Sequence, residues 1–198
     1  MKIGVLALQG AVSEHLEALH KCGVEAVAVK KVEQLDGLDG LIIPGGESTT
    51  IGLLMQKYGF DRAIESKTAA GFPIYGTCAG MILLAERIIG YEDQFRLGLI
   101  DMDVVRNSYG RQRESFEADL KIPVIGEEPF RGVFIRAPHV ESVGPNAEVL
   151  CEHEGRVVLV RQGPYLASSF HPELTDDLRL HRYFINMVTN SLTDGSRG

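Results

Sequence analysis

The chain has 198 residues, 44% of them hydrophobic, which suits one well-buried domain and is short for two. A formal charge of −7 at pH 7 argues against a nucleic-acid or membrane-surface role, and the densest basic stretch, 106–113, is too short to reverse that balance. No apolar run approaches the ~20 residues of a membrane span, and the run over 3–8 is too short for a signal peptide. Three cysteines without paired spacing fit a reducing compartment, so a cytoplasmic protein is expected.

Taken in chain order, residues 2–8 form a β-rich apolar run that ends at Gln9-Gly10. Val12, Leu16, Leu19 and Cys22 recur at helical spacing over 12–22, and Gly23 closes that helix. Strands follow over 24–29 and 38–43, the second running into Pro44-Gly45-Gly46. Helices are expected over 48–58 and 60–70, then a short buried strand over 72–75 and a helix over 81–86. This alternation specifies an α/β fold of the doubly wound class, a mostly parallel sheet flanked by helices. After Gly90 short strands dominate, over 100–106, 114–119, 132–135, 148–152, 156–161 and 166–170. Glu154-Gly155 suits a hairpin turn between two of them, so a short antiparallel extension is expected. A last helix over 176–189 carries Leu180, Phe184, Met187 and Val188 inward. With no repeat or linker, 1–190 reads as one domain and 191–198 as a disordered tail.

Cys78 stands in Gly76-Thr77-Cys78-Ala79-Gly80, between a strand and a helix. Small neighbours let the backbone turn sharply there, an elbow that pushes the thiol toward solvent at the carboxyl edge of the sheet. A helix N-terminus and a nearby imidazolium both favour the thiolate, the nucleophilic form. The N–H of Ala79 can point at a developing oxyanion. Far along the chain, Phe170-His171-Pro172-Glu173 offers His171 as general base and Glu173 as the acid that fixes its tautomer. Two residues apart in an extended segment, those side chains project to one side, and Pro172 restricts the backbone between them. The reaction class this implies is acyl transfer through a thioester. Cys22 and Cys151 lack such surroundings and read as structural. His15, His20 and His181 fall on helices, and His153 near a turn. His139, after Ala137-Pro138, is the strongest decoy, and no metal-ligand spacing is visible.

Pro44-Gly45-Gly46-Glu47-Ser48-Thr49-Thr50 lacks the Gly-Lys-Ser/Thr ending of a phosphate loop. It reads as a helix start capped by Ser48 or Thr49, whose glycines let substrate approach and whose N–H groups complete an oxyanion hole opposite Ala79. A lone arginine such as Arg106 is by default a solvated charge.

The cysteine elbow with His171-Pro172-Glu173 resembles the class I (triad) glutamine amidotransferases. Gly4 through Val12, the 44–50 segment, Arg106-Asn107-Ser108-Tyr109-Gly110-Arg111-Gln112, Ser115-Phe116-Glu117 and Phe134-Ile135-Arg136-Ala137-Pro138 narrow the match to the glutaminase subunits of pyridoxal 5′-phosphate synthases. The resemblance implies a Cys78–His171–Glu173 triad that hydrolyses L-glutamine, and an oxyanion hole at Gly46 and Ala79. It implies that Gly46, Glu47, Ser48, Arg106, Ile135 and Arg136 hold glutamine, Ile135 through its backbone; Arg136 could instead be an ion-pair partner. It also implies no cofactor and a (β/α)₈-barrel synthase partner in a large hetero-oligomer, with Gln9, Gly10 and the first helix as docking elements. The competing readings are a glutaminase serving another synthase, a related cysteine hydrolase, and a non-catalytic binding module.

Overall fold

The computed structural model describes residues 1–107 and 114–195, with side chains through 193. In chain order, β1 (Lys2–Leu6) leads to α1 (Val12–Lys21), β2 (Glu25–Val29), β3 (Gly40–Ile43), α2 (Ser48–Tyr58), α3 (Phe60–Thr68), β4 (Ile74–Thr77) and α4 (Ala79–Leu84). The second half adds β5 (Ala85–Ile88), β6 (Ile100–Val105), β7 (Ser115–Leu120), β8 (Phe130–Ile135), β9 (His139–Val143) and β10 (Glu148–His153). It ends with β11 (Arg156–Gln162), β12 (Tyr165–Ser168) and α5 (Arg179–Gly195).

Strands β2, β1, β3, β4 and β12 lie side by side and parallel. From β12 the sheet continues antiparallel through β11, β9 and β6, with β5 at the far edge and β10 paired to β11. Strands β7 and β8 form a separate antiparallel pair. This is the doubly wound sheet with an antiparallel extension that the alternation of elements specifies. Successive residues of a strand point to opposite faces, so Leu41 and Ile43 enter one core while Ile42 enters the other. The first core packs against α2, α3 and α4, and the second against α1, α5 and the β7–β8 pair. Leu180, Phe184, Met187 and Val188 of α5 are buried in the second core as expected.

Several local expectations are corrected. Strand β4 begins at Ile74 rather than residue 72, because Pro73 has no N–H to give a ladder, and it runs on to Thr77. The helix expected over 81–86 starts at Ala79 and stops at Leu84. Residues 85–88 become β5 because they pair with β6, Ala85 opposite Ile100, and that pairing overrides their helical pattern. Strand β9 was not expected at all: its sequence, His-Val-Glu-Ser-Val, carries one buried apolar residue, and pairing to β6 and β11 holds it. The segment around Pro172 is a 3₁₀ turn over Pro172–Leu174, not extended chain. Helix α5 runs to Gly195, into the segment read as a disordered tail; residues 196–198 lie outside the described residues. Among the described residues no helix is long and apolar enough to cross a membrane.

Candidate active site

The carboxyl ends of β1, β3, β4 and β12 place Gln9-Gly10, Gly45-Gly46, Cys78 and His171 around one crevice, the usual ligand position of an open α/β sheet. Cys78 has φ 51° and ψ −103°, a conformation that costs energy for a residue with a side chain. Surrounding bonds hold it: the Cys78 N–H donates to the Ser168 carbonyl at 2.8 Å, and Ile82 N–H donates to the Cys78 carbonyl at 3.3 Å. A Cβ on Gly80 would fall on the carbonyl oxygen of Ile43, so only glycine lets α4 seat directly on the end of β3. The elbow does not push the thiol into open solvent, however. Cys78 is 7% exposed, because Ile135 covers it, with its carbonyl 3.8 Å from Sγ. The thiol faces a cavity of about 470 Å³ instead.

His171 also lines this cavity, and its Nδ1 lies 2.7 Å from Glu173 Oε1. Its backbone N–H donates to the Val133 carbonyl at 2.8 Å, so β8 fixes the segment's position. The 3₁₀ turn at Pro172 folds Glu173 back behind the ring, which achieves the contact by a route different from the extended one expected. Burial opposes charging of His171, but the neighbouring Cys78 and the hydrogen bond and charge of Glu173 outweigh that and push it up to about 10. Burial likewise disfavours the Glu173 carboxylate, yet His15 and His171 hold its pKa below the usual carboxylate range. This arrangement sets an imidazolium, backed by a carboxylate, beside a cysteine, the groups that nucleophilic catalysis uses.

The other residues singled out in the sequence meet here as well. Gly46, Glu47, Ser48, Ala79, Arg106, Ile135 and Arg136 all line the cavity. Helix α2 is capped by Glu47, not by Ser48 or Thr49: its carboxylate accepts from Thr49 N–H at 3.1 Å and Thr50 N–H at 2.7 Å. The helix begins at Ser48, two residues earlier than a Thr49 cap would need, and Ser48 Oγ is taken by Gln94 Nε2 at 2.9 Å. Arg106 lies over the Tyr91 ring, 4.3 Å from its centroid, and donates to Gln94 Oε1 at 2.6 Å, Thr49 Oγ1 at 3.2 Å and Glu47 Oε1 at 3.3 Å. It is a positioned guanidinium rather than a solvated one. Gln94 and Tyr91 carried no sequence signal, since they sit in a loop without periodicity. Arg136 has φ 45°, and its N–H donates to the Glu114 carbonyl at 2.6 Å. Residues 108–112 of the motif after Asn107 lie outside the described residues. Gln9 Oε1 accepts the Glu47 N–H at 2.8 Å, which ties the segment after β1 to the Gly45-Gly46-Glu47 turn.

The decoys go elsewhere. His139 pairs with Glu141 at 2.9 Å on β9, away from the cavity. Burial pushes the Cys151 thiol up to about 11 and also raises Cys22. Among the described residues no group of three or more His, Cys, Asp or Glu side chains could hold a metal ion.

Two histidines that sequence reading left as ordinary helical residues stand behind the triad. His15 of α1 and His181 of α5 are fully buried, with His15 Nδ1 3.0 Å from His181 Nε2. His15 Nε2 lies 3.2 Å from Thr77 Oγ1 and 3.4 Å from Glu173 Oε2. Burial pushes His181 down from 6.5 to about 3. A depressed folded-state value means that the unfolded chain takes this proton first, so stability falls as pH drops through the window from 6.5 to about 3. At about 1.4 kcal/mol per unit, the loss from His181 alone reaches about 2 kcal/mol by pH 5. His181→Gln, compared with wild type by urea unfolding at pH 7 and pH 5, is expected to shrink the acid-induced loss by about that amount. Equal losses in the two proteins would refute the assignment.

The SNO glutamine amidotransferase family matches residues 5–190. A relative from Geobacillus sp. (strain WCH70), pyridoxal 5′-phosphate synthase subunit PdxT, is 61% identical over 188 residues, covering 95% of this chain and 97% of that one. A solved structure described as a glutamine amidotransferase superposes with TM-score 0.91 at 53% identity, covering 94% of this chain and 98% of the other. PurLQS from Thermotoga maritima, at 16% identity and TM-score 0.70 over 93% of this chain and 97% of that one, shares the fold. With a match spanning nearly the whole sequence, this chain belongs to the SNO glutamine amidotransferase family.

Proposed function

We propose that this protein is the glutaminase subunit of a pyridoxal 5′-phosphate synthase, hydrolysing L-glutamine to L-glutamate and ammonia in the cytoplasm. The observation that carries the reading is that Cys78 and His171 meet on a cavity that Arg106 and Glu47 also line, with Glu173 bonded to His171 from behind at 2.7 Å. Glutamine's α-carboxylate meets Arg106, its α-ammonium meets Glu47, and its amide reaches Cys78. Gly46, Ser48, Ile135 and Arg136 complete the binding surface.

The Cys78 thiolate attacks the amide carbon, forming a C–S bond, and the N–H groups of Gly46 and Ala79 receive the oxyanion. The C–N bond then breaks while the His171 imidazolium gives its proton to the departing ammonia. His171, now neutral, takes a proton from water, which attacks the thioester and releases glutamate with the thiol. Glu173 keeps the ring in one tautomer throughout. Water is the one co-reactant, and Cys78 and His171 carry the remaining electron-pair and proton transfers, so the cycle calls for no cofactor.

Ammonia released into neutral water becomes ammonium, a poor nucleophile, so a synthase that takes it internally gives the hydrolysis a purpose. The Geobacillus relative is itself a pyridoxal 5′-phosphate synthase subunit by name, which supports a synthase as the recipient. The partner that the family resemblance implies is a (β/α)₈ barrel, and Gln9, Gly10 and α1, after β1 on the active-site edge, are its docking elements. The Gly45 carbonyl accepts the Ala11 N–H at 3.1 Å, so a partner that moves the start of α1 also moves the Gly45–Gly46 peptide. Ammonia release from glutamine is therefore expected to be at least about tenfold faster with the barrel subunit present than in the isolated chain. Equal rates would remove the gating, and no release from the assembled enzyme would remove the function.

A further inference from the structure

We propose that His15 is a positioning residue of the glutaminase centre: from α1, its Nε2–H fixes the free oxygen of Glu173 and the hydroxyl of Thr77 together. Helix α1, and not the cysteine elbow alone, then sets how the His171 ring faces the nucleophile. This rests on the glutaminase reading above.

The argument begins with an unfilled valence. Glu173 has one oxygen committed to His171 at 2.7 Å, while Oε2 is buried without a regular hydrogen bond and faces His15 Nε2 at 3.4 Å. A buried carboxylate oxygen with nothing to accept would cost about 1–3 kcal/mol and leave the group free to turn. The same nitrogen lies 3.2 Å from the hydroxyl of Thr77, which directly precedes Cys78. One imidazole therefore touches both limbs of the triad, the carboxylate behind the base and the residue before the nucleophile.

The placement of protons follows from the partners. If His15 carried its hydrogen on Nδ1, its Nε2 lone pair would face a carboxylate, and His181 would hold its own hydrogen on Nδ1. That atom is buried with no acceptor. With the hydrogen on His15 Nε2, a donor faces Glu173 and Thr77. His15 Nδ1 then accepts from His181 Nε2–H at 3.0 Å, and the one cost is a bare lone pair on His181 Nδ1. The second arrangement gives an ordered line: His181 to His15 to Glu173 to His171 to Cys78.

The groups facing His15 are Glu173 and His171 from the segment after β12, His181 from α5 and Glu14 from its own helix. Burial lowers its pKa most; Glu173 and Glu14 pull it upward and His171 pushes it down, leaving it below its ordinary value. An uncharged His15 beside an imidazolium at His171 avoids placing two cations on one carboxylate. The charge that Glu173 stabilises then belongs to His171 alone.

The test compares His15→Leu, His15→Asn and His15→Gln in the assembled enzyme. The glutamine amide nitrogen reaches the place of Nε2 and can donate to Glu173, whereas the asparagine amide reaches only the place of Nδ1 and His181. Groups that orient a catalytic ring from behind are worth about tenfold to a hundredfold in activity. The leucine and asparagine variants are therefore expected to lose about that much kcat, with KM for glutamine nearly unchanged, and His15→Gln to recover most of it. In parallel, the pH profile for iodoacetamide labelling of Cys78, read on its own peptide, should move upward for leucine and asparagine and return with glutamine. His15→Gln behaving no better than His15→Asn in both readouts, or all three variants matching wild type, would overturn the proposal. Retained ammonia release by Cys78→Ala would instead overturn the glutaminase reading, whatever the His15 variants do.

Discussion

Cys78→Ala in the assembled enzyme is expected to release ammonia from glutamine at less than about one ten-thousandth of the wild-type rate, because removal of a nucleophile ends covalent catalysis. The fold should survive. Alanine fits the space that the thiol leaves at 7% exposure, and the elbow is held by backbone bonds to Ser168 and Ile82. Glutamine should still bind, since the groups proposed to hold its α-carboxylate and α-ammonium, Arg106 and Glu47, are untouched, and isothermal titration would show a dissociation constant close to the wild-type value. Urea unfolding is the control for folding. Ammonia release at even a hundredth of the wild-type rate would mean that water or another residue attacks the amide, and the thioester route would be withdrawn.

The second large effect lies outside the triad. Gly10 has φ 109°, a conformation that L side chains rarely adopt, and a Cβ there would fall on the carbonyl oxygen of Gly45. Gly10→Ala therefore has to push the Gly45–Gly46 turn away, and with it the N–H assigned to the oxyanion. Loss of one such donor costs about 100- to 1,000-fold in kcat. Gly10 is itself exposed and belongs to neither core, so the folded state is expected to persist. The matched control is Gly155→Ala in the β10–β11 turn. It has φ 74° but nothing near its would-be Cβ, and it should cost only about 1 kcal/mol of stability with full activity. Gly10→Ala with kcat within twofold of wild type would remove Gly46 from the oxyanion hole.

Much of this was legible along the chain. The apolar runs of β1, β3 and β4, each followed by helical spacing, specify a parallel sheet because strand and helix periods are local properties. The glycine-flanked Cys78 and the short span from His171 to Glu173 were legible for the same reason. Less local features were misread. Residues 85–88 look helical until β6 pairs with them, and β9 has too few apolar residues to announce itself. The extended geometry expected at Pro172 is a 3₁₀ turn, and the thiol expected in solvent is covered by Ile135.

The sequence by itself determined the class of fold and pointed to Cys78, His171 and Glu173 as candidate nucleophile, base and acid, since each signal rests on residues within a few positions of one another. Only the tertiary structure decided what surrounds them. His15 and His181 are 166 positions apart yet 3.0 Å from contact to contact, and Arg106 meets Glu47 and Gln94 across three separate segments. A buried histidine and a core-facing one share the same helical spacing. Hydrogen-bond partners across the sheet depend on how the strands are ordered, and strand order is written in no single stretch of chain.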